Sequence, residues 1–122
     1  MAITDKKDIG NRGEAMALAF LKKLQYEILG TNIQCGRSEI DIIAKHKNTL
    51  VFVEVKTRKT AYFGFPESFV TDKKQKAIVR GAQWYIEKND YKGDVRFDII
   101  AVIISPTKSE VEHFEDAFWL RE

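Results

Sequence analysis

The strongest constraint on the fold comes from residues 50–57, which read LVFVEVKT. In an extended strand, alternate side chains point to opposite faces, so Leu50 and Phe52 share one face and three valines share the other. A strand that is apolar on both faces belongs inside a sheet that is covered on both sides. Glu54 and Lys56 interrupt the face of Leu50 and Phe52, and charged residues in such a strand rarely lack a role.

Residues 38–45 alternate as well and predict a second strand, which the polar loop 46–49 joins to the first. With this loop, Lys45 pairs with Leu50 and the two strands form an antiparallel hairpin. The predicted faces of the earlier strand are Ile40, Ile42 and Ala44 on one side and Glu39, Asp41 and Ile43 on the other.

The same register places Asp41 directly opposite Glu54, and it places Glu39 opposite Lys56. The Cβ atoms of such a pair are about 5 Å apart, so both carboxylates can reach one cation. Two opposed acids repel each other unless a cation, a proton or a nearby base compensates, and a divalent metal ion would do so. Lys56 follows Glu54 on the same face, roughly 7 Å along the strand.

This arrangement suits the hydrolysis of a phosphodiester bond. A hard cation such as Mg²⁺ takes oxygen ligands, can bind a phosphate oxygen and can polarise an attacking water. The ammonium group of Lys56 can stabilise the transition state or help to deprotonate that water. The alternative for Glu54 and Lys56 is an ordinary solvent-facing ion pair, since the pattern E-x-K also arises by chance.

The rest of the pattern predicts a single α/β domain over residues 1–122. Residues 58–66 read as a loop because the alternation stops and turn-forming residues appear. The other predicted elements are helices over 8–24 and from the N-cap Thr71 to Lys88, and strands over 26–32, 95–105 and 110–114. The predicted fold is therefore a mixed β-sheet flanked by helices, in the order α-β-β-β-α-β-β.

The composition favours a cytoplasmic protein without a membrane partner. The longest apolar runs fall far short of the roughly 20 residues that span a bilayer, and residues 1–14 are charged and lack the apolar core of a secretion signal. The single cysteine, Cys35, cannot form an internal disulfide. His46 and His113 have no ligand partner at a useful spacing, and we expect both at the surface.

Positive charge is concentrated in the middle of the chain. The net charge is +2, yet residues 45–80 contain nine bases and three acids. A local positive stretch can attract a polyanion such as a nucleic acid, although a solvated helix face has the same composition. The candidates for phosphate contact are Arg58, Lys73, Lys76 and Arg80, of which the last three follow one side of the second predicted helix.

Several short motifs along the chain form a specific set. They are Gly13-Glu14-Ala15, Ser38-Glu39-Ile40-Asp41, VFVEVKTR at 51–58, Phe63-Gly64-Phe65-Pro66, Lys76, Arg96-Phe97-Asp98 and Ala117-Phe118. The set closely resembles the YraN-like family of small bacterial proteins, which is similar to the PD-(D/E)XK nucleases and especially to archaeal-type Holliday-junction resolvases. The resemblance covers nearly the whole chain and implies a restriction-endonuclease-like fold. Ser38 departs from the usual glycine, which bears on how closely a substrate backbone can approach.

The resemblance implies a role for four side chains and one backbone group. The implied catalytic residues are Glu14, Asp41, Glu54 and Lys56, and the implied metal ligands are Asp41, Glu54, Glu14 and the carbonyl of Val55. The implied activity is that of an endonuclease that depends on Mg²⁺ or Mn²⁺ and cleaves DNA, branched or structured DNA included. A homodimer is implied by analogy only. Without the resemblance, the preferred explanation of Glu14 is an acid that the helix dipole favours near a helix start.

Two other functions remain open at this point. One is a non-catalytic nucleic-acid-binding module of the same fold, and the other is an interaction protein whose basic face binds an acidic partner. Salt-dependent DNA binding would separate the second of these from the other functions. Metal-dependent cleavage would separate a nuclease from a binding module.

Overall fold

Two helices and five strands lie within residues 6–59 and 70–118, the part of the chain that the computed structural model describes. They are α1 (Lys6–Lys23), β1 (Glu27–Cys35), β2 (Ser38–His46), β3 (Thr49–Arg58), α2 (Asp72–Lys88), β4 (Asp94–Ile104) and β5 (Ser109–Phe114). The predicted α/β class and element order are confirmed. The predicted loop 58–66 and the motif at 63–66 lie mostly or wholly outside the described residues.

The five strands form one mixed sheet in the order β1-β2-β3-β4-β5. Neighbouring strands are antiparallel except for β3 and β4, which are parallel. A parallel pair needs a long connection, and α2 lies in the connection between β3 and β4. β3 is therefore the central strand, with a hydrogen-bonded neighbour on each side.

Two separate apolar clusters cover the two faces of the sheet. On one face, Leu50 and Phe52 pack with residues of α2 such as Ile78. On the other face, Val51 and Val53 pack with Ala17 and Leu21 of α1. These β3 residues are at most 2% exposed, which confirms that this strand is buried on both sides. No helix in the described ranges is long and apolar enough to cross a membrane.

The predicted hairpin register is confirmed, but its turn is shorter than expected. β2 and β3 pair from His46 with Thr49 to Ile42 with Val53, and this includes the predicted pair of Lys45 with Leu50. The turn consists of two residues rather than four. Lys47, its first residue, has a φ of 57°, as a tight two-residue hairpin turn requires.

The prediction that Ile40 shares a face of the sheet with Ile42 and Ala44 is wrong. Ile40 packs in the cluster beneath α2, whereas Ile42 and Ala44 pack in the cluster beneath α1. Ile40 and Ile42 thus lie on opposite faces although they are two positions apart, so β2 departs from simple alternation at Asp41. Asn32, which lies across from Asp41 between the pairs Thr31–Ile42 and Ile33–Ile40, has a φ of 48°.

β2 and β3 separate immediately after the pair of Ile42 with Val53. Beyond that point residues 38–40 pair with β1, while residues 54–58 pair with β4. The sheet is therefore split between the start of β2 and the end of β3. Asp41 and Glu54, which would form the next pair, lie at the mouth of this split.

α2 begins as the sequence predicts. The side chain of Thr71 accepts a hydrogen bond from the backbone N–H of Lys74 at 3.2 Å, which is the N-cap geometry. Its buried side contains Gln75, Ile78, Val79, Gly81 and Ala82. The cap fixes where the first turn of α2 starts and, with it, which side chains of that turn point toward the split in the sheet.

The close approach of α1 to β3 depends on Gly13. A Cβ atom at this position would lie 1.9 Å from Oγ1 of Thr57. We predict that Gly13→Ala lowers the free energy of unfolding by about 1–3 kcal/mol, because the helix must move away from the strand. Urea denaturation measures this change.

Gly10 of the same helix provides the matched control. Nothing lies within 4 Å of a Cβ built at Gly10, so Gly10→Ala should stabilise the protein by roughly 0.5–1 kcal/mol through helix propensity alone. Equal effects of the two substitutions would contradict the packing that we describe.

Candidate active site

A cavity lies between the first half of α1 and the end of β3 where the sheet splits. Its lining residues are Lys7, Ile9, Gly10, Asn11 and Glu14 of α1, Asp41 of β2, and residues 54–59. All four predicted catalytic residues, Glu14, Asp41, Glu54 and Lys56, line this one cavity. The split in the sheet thus gathers side chains that three different elements supply.

Asp41 is held in place by the backbone of the neighbouring strand. Its Oδ2 atom accepts a hydrogen bond from the N–H of Val55 at 2.9 Å. The carboxylate therefore takes a donor that would otherwise seek a partner across the split. In an extended strand, the N–H and C=O of one residue point to the same side, so the carbonyl of Val55 is directed toward the split as well.

Glu54 is the buried acid of the cavity, with 4% of its surface exposed. Its Oε1 atom lies 3.9 Å from Nζ of Lys74. Its Oε2 atom is buried and has no hydrogen-bond partner among the described residues. A buried carboxylate oxygen without a donor is unfavourable unless a proton or a cation is bound there.

The electrostatics of Glu54 reflect this environment. Its pKa is raised from 4.5 to about 8, first because the group is buried and second because the negative charge of Asp41 is close. Lys74 and Lys56 lower this pKa, but by less. The expected proximity of Asp41 and Glu54 is confirmed, since both line the same cavity and the charge of Asp41 raises the pKa of Glu54. Without a bound cation, the pair holds a proton more tightly than an ordinary carboxyl group does.

Lys74 is the residue of this site that the sequence analysis missed. Lys73, Lys76 and Arg80 were predicted to form the basic side of α2, and all three are exposed. Lys74 instead reaches Glu54 and keeps 44% of its side chain exposed. The signal was present in the helix periodicity, because Lys74 precedes the buried Ile78 by one turn and so borders the side that faces the sheet.

Glu14 lies on the α1 wall of the cavity. Its Oε2 atom accepts a hydrogen bond from Nδ2 of Asn32 at 3.2 Å. Burial raises the pKa of Glu14, the hydrogen bond from Asn32 acts against this, and the charges of Asp41 and Glu39 add to the rise. Glu14 thus contacts Asn32 of β1. The role of Glu14 as a metal ligand stays a prediction.

Lys56 is half-buried on the cavity wall, but its expected partner is elsewhere. Glu39 pairs with Gln34 of β1 and is exposed. The prediction that Glu39 opposes Lys56 is therefore wrong, because β2 leaves β3 before the register reaches that pair. Lys56 keeps its charge directed at the cavity, where it lowers the pKa of Glu54.

A divalent ion would need ligands from both side chains and backbone here. No three His, Cys, Asp or Glu side chains within residues 6–59 and 70–118 are grouped closely enough to hold a metal ion. Mg²⁺, however, is typically bound by one or two carboxylates and keeps several waters. Asp41, the unpartnered Oε2 of Glu54 and the inward-directed carbonyl of Val55 are oxygen donors that fit this requirement.

The four predicted phosphate-contact residues fall in two places. Arg58 is exposed at the rim of the cavity, and its Nη1 donates to the carbonyl of Thr57 at 3.2 Å. Lys73, Lys76 and Arg80 are exposed on α2. Both places are connected to Glu54. Arg58 belongs to the same strand, β3, and α2 contacts Glu54 through Lys74.

A second polar cluster lies on the α1 face of the sheet, away from the cavity lining. Asp98 is fully buried. It accepts hydrogen bonds from the side chain of Arg96 at 2.9 Å and from the backbone N–H of Asp116 at 3.0 Å. Its Oδ2 atom also lies 2.7 Å from Nε2 of His113. Burial alone would raise the pKa of Asp98, but the hydrogen bonds from His113 and Arg96 hold it below its usual value.

The expectation that both histidines lie at the surface is therefore wrong. The side chain of His113 is 7% exposed, and His46 is half-buried, its ring stacked on Tyr26 with a centroid distance of 4.1 Å. Pairing of β5 with β4 brings His113 beside Asp98, a contact over fifteen residues that spacing along the chain does not reveal. Both carboxylate oxygens of Asp98 have hydrogen-bond partners in this cluster. A buried polar network that is fully paired in this way stabilises the fold.

Fold and cavity together define an α/β protein with a split mixed sheet and an acidic pair beside a lysine at the split. The chain matches the family model described as "Uncharacterised protein family UPF0102" over residues 13–102. It belongs to this family, to which the YraN-like proteins also correspond.

Relatives in the family align with almost the whole chain. A UPF0102 protein of Geotalea daltonii is 48% identical over 93% of this chain and 91% of its own length. A UPF0102 protein of Christiangramia forsetii is 40% identical over 96% of this chain and 98% of its own length. The similarity therefore extends across the split sheet and is not confined to one motif.

The raised pKa of Glu54 predicts how stability depends on pH. A folded-state pKa of about 8, above the unfolded value of 4.5, means that protonation stabilises the fold below about pH 4.5 and that this contribution is lost as the pH rises through about 8. Between about pH 5 and pH 9, the metal-free protein should lose on the order of a few kcal/mol of unfolding free energy. Glu54→Gln should remove most of this slope in urea denaturation with a chelator present.

Glu87→Gln is the matched control, since Glu87 is an exposed acid of α2 that does not line the cavity. It should leave the slope as it is in the wild type. A slope that persists in Glu54→Gln would mean that other groups control the pH dependence.

Proposed function

We propose that this protein is a metal-dependent endonuclease that hydrolyses phosphodiester bonds in DNA. The single observation that carries the proposal is the pairing of two carboxylates in one cavity, one of them buried with an oxygen that has no hydrogen-bond donor among the described residues. A fold gains no stability from such a pair. Binding of a divalent cation is the function that accounts for it most directly.

Asp41 and Glu54 would hold Mg²⁺ or Mn²⁺ together with the carbonyl of Val55, and Glu14 on the α1 wall would contact the ion through one of the waters that it keeps. When bound, the ion supplies a Lewis acid for a phosphate oxygen and lowers the pKa of a water. The N–H of Val55 orients the Asp41 carboxylate before any ion arrives. This preorganisation reduces the ordering that binding requires.

Two lysines would assist the carboxylates. Lys56 places a positive charge on the cavity wall, where it would stabilise the charge that develops on a phosphoryl group. Lys74 neutralises Glu54 in part in the absence of an ion. A bound cation would take over that task and leave the Lys74 ammonium available to a phosphate, since its side chain remains 44% exposed.

The distribution of charge supports a nucleic acid as the substrate. Arg58 lies at the cavity rim, and Lys73, Lys76 and Arg80 are exposed on the helix that carries Lys74. Exposed Lys and Arg side chains that lead to an active site bind the phosphate backbone without regard to sequence. The cytoplasm is the proposed compartment, where Cys35, a free and buried thiol, would stay reduced.

A non-catalytic nucleic-acid-binding module is the second candidate. The ion pair between Lys74 and Glu54 favours it, because a lysine can satisfy a carboxylate that no longer binds a metal ion. At 3.9 Å, however, this pair leaves the Oε2 atom of Glu54 without a partner. The unsatisfied oxygen favours the endonuclease.

A cleavage assay tests the proposal. Purified protein should cut DNA in the presence of Mg²⁺ or Mn²⁺, and comparison of linear, single-stranded, flapped and four-way substrates would identify the preferred structure. Glu54→Gln should reduce the rate by at least about 100-fold, because it removes one ligand charge from the site. Glu87→Gln should cut at the wild-type rate. DNA binding without cleavage of any substrate would leave the binding module as the function.

A metal-dependent gain in stability is an independent prediction. Mn²⁺ should raise the melting temperature of the wild type at about pH 8, and a hundredfold excess of free ion over its dissociation constant corresponds to about 2.7 kcal/mol. Asp41→Asn and Glu54→Gln each remove one charge of the pair. Both should raise the melting temperature of the metal-free protein and abolish the gain on adding Mn²⁺.

Thermal melts with and without Mn²⁺ measure both effects. Melts of the wild type that do not respond to the ion, together with destabilised metal-free variants, would show that the two acids serve the fold.

A further inference from the structure

Trp84 is an exposed aromatic residue on the basic side of α2. It is one of three large apolar residues that are exposed in the described part of the chain, with 39% of its surface accessible. The other two, Leu24 and Leu29, are aliphatic. An exposed indole ring has an apolar face that water solvates poorly and that a planar ligand can cover.

The ring of Trp84 is held against the turn between β1 and β2. Gly36 in this turn has a φ of 62°, and a Cβ atom there would lie 3.3 Å from Cδ1 of Trp84. The ring thus lies against the turn at Gly36, and a side chain at this position would crowd it. A ring fixed in this way loses little further freedom when a ligand stacks on it.

One cation lies over this ring, and two exposed arginines are near it in sequence, on α2 and in the turn. Nζ of Lys88 lies 5.6 Å from the ring centroid, and Arg80 precedes Trp84 by one helical turn. Arg37 follows Gly36 in the adjoining turn and is exposed. Along α2, the acids Asp72 and Glu87 are outnumbered by the bases Lys73, Lys74, Lys76, Arg80 and Lys88.

The same helix connects this ring to the candidate active site. Lys74 contacts Glu54, and Trp84 follows ten residues later, which is about 15 Å along a helix axis. A strand bound along the exposed side of α2 would therefore pass from the ring toward the cavity.

We propose that Trp84, together with Lys88 and the exposed arginines Arg37 and Arg80, is a stacking platform for an unpaired base of a DNA strand. The proposal rests on the endonuclease function above and narrows its substrate to DNA with a single-stranded or splayed arm. An aromatic ring stacks on a base whose face is free, while cations beside it bind the phosphates on either side. In a continuous duplex the base faces already stack on one another, so the ring would have no face to cover.

Binding measurements with Trp84 variants test the platform. In a Trp119→Phe background, Trp84 is the one tryptophan of the chain, and its fluorescence should be quenched by an oligo-dT strand. Trp84→Ala should weaken oligo-dT binding by about 10-fold or more, and Trp84→Phe by much less, because phenylalanine also stacks. Binding to a duplex of equal length should change less than about twofold. All titrations contain a chelator, so that cleavage does not interfere.

Two controls separate stacking from other effects of the substitution. Leu29→Ala removes another exposed large apolar side chain, from β1, and should leave both affinities unchanged. The double variant Lys73→Ala and Lys76→Ala, which leaves Arg80 in place, should weaken oligo-dT and duplex binding about equally and reduce the salt dependence of both. Thermal melts of every variant show whether the fold is retained.

The outcomes distinguish this proposal from the function on which it rests. If Trp84→Ala binds oligo-dT like the wild type, or loses oligo-dT and duplex affinity equally, the platform is overturned while metal-dependent cleavage stands. If the wild type cleaves no DNA and yet shows the quench and the loss in Trp84→Ala, the platform stands on a binding module. A wild type that binds neither probe overturns both.

Discussion

The hydrogen bond from the backbone of Val55 to the carboxylate of Asp41 is the contact on which the cavity depends. At the end of a hairpin ladder, the next N–H must find an acceptor, and a side chain that supplies one allows the two strands to part without an unsatisfied group. β2 can then continue along β1 while β3 continues along β4. The opening between them is the cavity, so the residue that permits the split also becomes part of the site.

The position of Glu54 shows that the site opposes the stability of the fold. A carboxylate buried beside another carboxylate is unfavourable, and the 3.9 Å contact with Lys74 compensates for only one of its oxygens. The apolar clusters on the two faces of β3 supply the stability that makes this arrangement tolerable. Natural proteins commonly accept such strain at positions that bind or react.

The elements and the hairpin register were predictable because they depend on local signals. Alternation placed β3, the short polar turn set the pairing with β2, and Thr71 marked the start of α2. The face of Ile40 was not predictable, because the residue pattern of β2 gives no sign of the break in alternation between Ile40 and Ile42. The ion pair of Lys74 with Glu54 and the burial of His113 likewise depend on contacts between elements that are distant in sequence. The sequence thus predicted which β2 and β3 side chains lie together at the cavity, and it missed the contact that α2 makes with Glu54.

The two polar clusters of this sheet differ in a way that indicates their roles. Asp98 lies at the centre of a closed network in which arginine, histidine and backbone donors hold its pKa below the usual value, so the charged form is stable as it stands. Glu54 is also buried, but burial and a neighbouring acid raise its pKa, and one oxygen has no donor. A satisfied buried acid has nothing further to bind. An unsatisfied one, at a split in the sheet and beside two lysines, is where a cation and a phosphate can still gain free energy by binding.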